Sequence, residues 1–200
     1  MNKIITVSRE FGSGGREFGR RLADVLGIEY YDKEIVTEIS KHTSLSENYV
    51  KQIIDHKPHN LYPITIGRSI LYVENPDFQH AQSIYTAQRE IIRDLAGKSD
   101  CVIVGRCADY ILQDMNPVRI FVYADMGSRI RRCMERLSED EHFTEKEMTQ
   151  RIKSIDRDRS KYYEYYTGLK WGNRLNYDLC INTTNMVIKD VVPTFAKLFE

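Results

Sequence analysis

The sequence has no excess of either charge: 29 lysines and arginines stand against 29 aspartates and glutamates in 200 residues. Without an overall field, bulk charge draws in neither nucleic acid nor an acidic membrane, and any anion site must be local. Histidine and cysteine are scarce. His42, His56, His59, His80 and His142 offer no H-x-x-x-H spacing, and Cys101, Cys107, Cys133 and Cys180 no C-x-x-C spacing. That argues against a protein-built metal site and for reduced thiols. No apolar run approaches the ~20 residues needed to cross a bilayer, and Met1 to Ser8 is too short for the apolar region of a signal peptide. The expectation is a cytoplasmic protein without membrane or nucleic-acid partners. What is present is 42% apolar content, enough for one sizeable core in a single domain.

Three β-branched runs, Ile4 to Val7, Val102 to Val104 and Val118 to Val122, are apolar without alternation, as strands buried on both faces are. Asp178 to Ile181 and Glu29 to Tyr31 add two more strands. Helical patterns cover Arg16 to Leu26, Lys33 to Lys41, Phe78 to Ala96, Ser128 to Leu137, Glu145 to Tyr166 and Val187 to Phe199. Strands alternating with long helices imply parallel pairing through crossovers, hence an α/β sandwich around a mostly parallel sheet. The stretch from Thr43 to Asn75, which holds His56, Pro58, His59 and Pro63, reads as irregular, a flap or a partner surface.

The strongest local signal is Ser8-Arg9-Glu10-Phe11-Gly12-Ser13-Gly14-Gly15-Arg16-Glu17, placed between the first strand and an amphipathic helix. Glycines let successive N–H groups curl around one anion, and the helix N-terminus adds its positive dipole end. The usual phosphate-loop pattern G-x-x-x-x-G-K-S/T is not met. Aligned without gaps, its lysine falls on Gly15; with one extra residue it falls on Arg16 and the magnesium-binding hydroxyl on Glu17. In the second register, which we favour, Arg16 supplies the charge on the β- and γ-phosphates and Ser13 or a water replaces the hydroxyl. A plain glycine-rich turn is the bland alternative.

Together with Tyr30-Tyr31-Asp32, Val102-Ile103-Val104-Gly105-Arg106 and Asp156-Arg157-Asp158-Arg159, this loop resembles the cytidylate kinase-like family from Ile4 to about Thr184. The resemblance implies a P-loop nucleoside-monophosphate kinase fold: a three-layer α/β sandwich with a five-stranded parallel sheet, an acceptor-binding helical insert at about 33–95 and a lid at about 127–160. It implies ATP with Mg²⁺ as donor, with Gly12, Ser13, Gly14, Gly15, Arg16 and Glu17 at the ATP phosphates. Asp32, Arg106, Asp158 and Lys161 then fall at the acceptor. Cys107, Lys33 and Glu38 depart from the cytidylate kinase pattern, which has aspartate, serine and arginine there.

Arg129, Arg131, Arg132 and Arg136 crowd one short helix, with Arg132 and Arg136 at i,i+4. By the resemblance Arg131 and Arg132 begin the lid, and Arg157 and Arg159 continue it, as groups that neutralise the transferring phosphoryl. Arg136 and Arg151 read instead as a solvated face with ion pairs. Tyr162, Tyr163, Tyr165 and Tyr166 suit a core or subunit interface better than base stacking, and a homo-oligomer stays open. The leading expectation is phosphoryl transfer from ATP to a nucleoside monophosphate, CMP or dCMP first. The alternatives are another small acceptor and a nucleotide-binding regulator without turnover.

Overall fold

The computed structural model describes residues 2–55, 64–66, 69–71, 76–138 and 140–199. In chain order the elements are β1 (Ile4–Arg9), α1 (Gly15–Leu26), β2 (Glu29–Tyr31), α2 (Glu34–Thr43), α3 (Glu47–Asp55), β3 (Ile64–Ile66), β4 (Ser69–Leu71) and α4 (Pro76–Lys98). They continue as β5 (Cys101–Val104), α5 (Ala108–Ile111), β6 (Val118–Tyr123), α6 (Met126–Met134), α7 (Glu145–Thr167), β7 (Leu179–Asn182) and α8 (Ile188–Ala196). Five strands form one sheet in the order β2-β5-β1-β6-β7, every pair parallel. A separate antiparallel hairpin joins β3 and β4.

A parallel sheet exposes apolar side chains on both faces and needs helices on both. Here Ile4 and Ile103 enter a core with Ile35, Ile39, Ile84 and Ile92 of α2 and α4. Ile5 and Val7 enter a second core with Phe18 and Leu22 of α1 and Val192 of α8. The chain leaves β1 on one side for β2 and β5 and on the other for β6 and β7. The order of strands therefore reverses at β1, and the crevice at the C-terminal strand ends opens there, beside the glycine loop.

Two expectations change. The stretch read as irregular contains α3, whose Val50 and Ile54 are buried, together with the β3–β4 hairpin. Apolar residues at Val50, Ile53 and Ile54 carry helical spacing that the prolines and histidines downstream obscured. The expectations for His56, Pro58, His59 and Pro63 lie outside the described residues. Helix α6 starts from the cap Asp125, which accepts from Ser128 N–H at 2.6 Å, and stops at Met134. Arg136 lies in the turn that follows, its N–H donating to Cys133 C=O, so it does not continue the helical face of Arg132.

Candidate active site

Strand β1, the central strand of the sheet, delivers Arg9 to the C-terminal strand ends, and residues 10–14 curl back to start α1. Gly14 closes that curl at φ 82, a conformation costly for any side chain. The N-cap Gly14 has no side chain to cover the first turn of α1, and the Gly15 N–H donates to Ser13 Oγ at 3.4 Å; the helix N-terminus lies along the crevice, where an anion site would be. The loop is held from behind. Ser13 is fully buried, its hydroxyl donating to Glu10 C=O at 2.8 Å, and its carbonyl accepts from Thr183 Oγ1 at 2.7 Å. That placement turns Ser13 away from the magnesium role expected of it.

A buried charge network fixes the other half of the loop. Arg129 of α6, 6% exposed in its side chain, donates from Nε to Phe11 C=O at 2.7 Å and lies 3.2 Å from Glu10 Oε2. Its second terminal nitrogen bonds Asp156 of α7, whose other oxygen accepts from Phe11 N–H at 2.7 Å. Both peptide groups of Phe11 are thereby pinned to two helices. Burial pushes the Glu10 carboxyl up against the pull of Arg129.

Beside the loop, arginines gather around one carboxylate. Asp32, at the end of β2, is buried; Arg16 Nε lies 2.6 Å from one of its oxygens and Arg9 3.6 Å from the other. Arg159 of α7 donates to Arg9 C=O at 3.1 Å and stacks over the Phe11 ring at 5.5 Å. Burial and the charges of Arg159, Arg106 and Arg16 push the Arg9 guanidinium down to about 9, partly offset by Asp32, which leaves it charged at neutral pH. Arg106 sits in a left-handed turn at φ 61, held by buried Gln88 donating to its carbonyl at 2.9 Å. One carboxylate among several cations leaves a local positive excess in a chain of zero net charge.

A cleft of about 290 Å³ runs along the loop, and of the expected residues Gly12, Gly14, Gly15, Arg16, Arg132 and Arg159 line it. Arg132 also reaches the backbone of the β7–α8 turn, donating to Met186 C=O at 2.9 Å. Arg136 and Arg151, read as solvent-facing, line the cleft as well. Arg136 pairs with Glu17 of α1 at 2.5 Å, from the turn after α6. Glu17 is thereby turned from the cleft, its other oxygen accepting from Arg21 at 2.8 Å. These arginines hold its carboxyl below the usual range although burial works against them.

Other expected residues are not brought to the cleft. Arg131 donates to Asn185 Oδ1 at 3.2 Å, in the β7–α8 turn, and does not line the cleft. Arg157 is 63% exposed and donates to Ser154, with Asp158 4.0 Å away. Lys161 points to solvent. Cys107 is buried beside Asp109, its thiol pushed well up by burial, and Glu38 pairs with Lys41 on the exposed side of α2. Of the tyrosines, Tyr162 and Tyr163 are in the core and Tyr166 stacks on Tyr85 at 3.9 Å. Among the described residues no three metal-ligating side chains gather. Ser13 and Glu17 are committed elsewhere, so neither is placed as the magnesium ligand of the loop.

Sequence reasoning passed over Arg9 and Arg129. Arg9 reads there only as part of the loop motif, with no role of its own, and Arg129 as one more member of a basic helix. Its signal was position: Arg129 follows the cap Asp125 by one turn, on the face that meets the loop.

The sequence model of the cytidylate kinase-like family matches residues 4–185. No curated protein matches the chain. Among solved structures, an uncharacterized protein from Eubacterium ventriosum ATCC 27560 is 28% identical with a TM-score of 0.71, covering 98% of both chains. Shikimate kinase from Bacteroides thetaiotaomicron is 14% identical with a TM-score of 0.57 over 98% of both chains. Shikimate kinase from Acinetobacter baumannii in complex with shikimate is 14% identical with a TM-score of 0.54, over 100% of this chain and 93% of that one. At these identities the two kinases share a fold with this chain, the parallel α/β fold of P-loop kinases.

Proposed function

The chain belongs to the cytidylate kinase-like family, and on that premise we propose that it transfers the γ-phosphoryl group of ATP to a small phosphorylated acceptor, with CMP and dCMP the first to test. The observation that carries this reading is the arginine cluster around Asp32 next to a glycine-capped helix N-terminus. Phosphoryl transfer asks a protein for alignment and charge neutralisation more than for covalent help. In this reading the loop N–H groups hold the ATP phosphates. An acceptor phosphate oxygen forms a bond to the γ-phosphorus while the bond to the bridging oxygen breaks, and ADP leaves with that electron pair. Magnesium accompanies ATP, its coordination drawn from phosphates and water.

Within the reading, residues 33–95 form the acceptor-binding insert of one domain and 127–160 a lid, and Arg106, Asp158 and Lys161 serve the acceptor. The buried position of Cys107 and the outward pairing of Glu38 favour a second version, in which the acceptor carries a phosphate but no cytosine. An ADP-release assay with ATP, Mg²⁺ and a panel of nucleoside monophosphates and other small phosphorylated compounds decides. Turnover with CMP or dCMP supports the first version, and turnover only with a non-nucleotide supports the second. ATP binding without turnover on any of them ends both.

A further inference from the structure

Where the phosphate loop of this chain lacks lysine, the geometry points to Arg9: we infer that its guanidinium, projecting from the end of β1, binds the γ-phosphate oxygens of ATP in lysine's place. The inference rests on the phosphoryl-transfer reading and names the cation that reading needs.

Without gaps, the lysine position of the usual loop falls on Gly15, and no side chain can leave the backbone there. A Cβ built on Gly15 would lie 2.5 Å from Arg9 Cβ, and 3.1 Å from both Arg9 Cγ and Val122 Cβ. The stem of Arg9 fills the space in which a residue-15 side chain would begin. The head group of the same residue claims a second cleared position, since a Cβ on Gly105 would fall 1.9 Å from an Arg9 terminal nitrogen. Two glycines, on different elements, make room for one arginine.

What that arginine does is constrained by its surroundings. Its side chain is 13% exposed and lines the cleft with Gly12, Gly14 and Gly15. Its contact with Asp32 is 3.6 Å, beyond hydrogen-bond length, so the carboxylate balances charge without consuming the guanidinium donors. Arg16, the other candidate, is 54% exposed and its Nε is committed to Asp32 at 2.6 Å. A planar guanidinium with two parallel donors suits two oxygens of one phosphate, where lysine offers a point charge.

The test compares ATP with ADP, which differ by the γ-phosphate alone. Binding of each, with Mg²⁺, is measured by titration calorimetry on the wild type, Arg9→Gln, Arg16→Met and the exchange of Arg9→Gly with Gly15→Lys, alongside melting curves. We expect the wild type to prefer ATP, Arg9→Gln to lose about 10- to 100-fold in ATP affinity with little change for ADP, and the exchange to restore the preference. Gly15→Lys alone should lower the melting temperature, because the two side chains overlap. A folded Arg9→Gln that keeps the ATP preference overturns the inference, as does a preference lost only in Arg16→Met. An exchange variant that fails to fold refutes the shared space. If the wild type binds neither nucleotide, the phosphoryl-transfer reading falls too; if it binds ATP and only the Arg9 arms fail, that reading survives.

Discussion

Replacing Arg129 with methionine, which keeps most of the side-chain volume, tests whether the glycine loop owes its shape to buried charge. The substitution removes the donor to Phe11 C=O and leaves the carboxylates of Glu10 and Asp156 without their shared cation. Breaking a buried pair from one side costs about 3–5 kcal/mol. For a chain of this length each kcal/mol is worth about 2–4 °C in Tm, so the loss is about 6–20 °C. The deficit should also depend on pH. Burial already raises the Glu10 carboxyl while Arg129 lowers it, and without Arg129 it rises further. A group with a raised folded pKa binds more protons folded than unfolded, so its contribution to stability falls as pH climbs through the interval between the two. The variant should therefore lose less, relative to the wild type, at about pH 5 than at about pH 7. Urea unfolding at both values measures this. A deficit below about 1 kcal/mol, equal at both, would be that of a solvated surface pair and would refute a buried network.

Asp32→Asn removes the counter-charge of Arg9 and Arg16, and should lower Tm while enlarging the stabilisation gained from added inorganic phosphate; an unchanged phosphate response in a thermal-shift titration would contradict the local charge excess. Cys107→Asp restores the residue found in cytidylate kinases, yet it puts a carboxylate at a 5% exposed position beside Asp109. The expected result is a stability loss of about 2 kcal/mol or more with no improvement in KM for CMP, read by melting and steady-state kinetics. Tyr163→Phe takes the hydroxyl that donates to Asp109 at 2.7 Å and should cost about 1–3 kcal/mol. Burial already raises the Asp109 carboxyl, so in urea titrations the loss should shrink as pH falls and the carboxyl protonates.

The sheet was legible because central parallel strands leave a mark that survives without context: Ile4 to Val7 is apolar but for Thr6, Ile120 to Val122 is apolar throughout, and both are buried between neighbours. Helix α7 was legible at its start, where Thr144 and Glu147 form a capping box. Helix α3 was not, since nine residues with three apolar contacts give too little period to outweigh the chain that follows. In the site, the glycine loop could be read because its chemistry is local. The partners of its arginines could not. Arg131 and Arg132 are neighbours in sequence and both reach the β7–α8 turn, but a turn of ~100° leaves only Arg132 lining the cleft. Arg9 and Asp32 meet only because β1 and β2 lie either side of β5.

The contact between Arg9 and Gly15 also bears on how such a loop can change over generations. A lineage moving between this arrangement and one with lysine at position 15 needs two substitutions, and neither comes first without damage. Lysine arriving while Arg9 remains meets an occupied space; on the inference that Arg9 binds phosphate, its departure while Gly15 remains leaves the cradle short of a charge. On that inference each single step carries a cost, and only the paired exchange avoids it. A search that insists on the lysine will pass over every descendant with this arrangement, although the strand, the loop and the helix around the cation are the same.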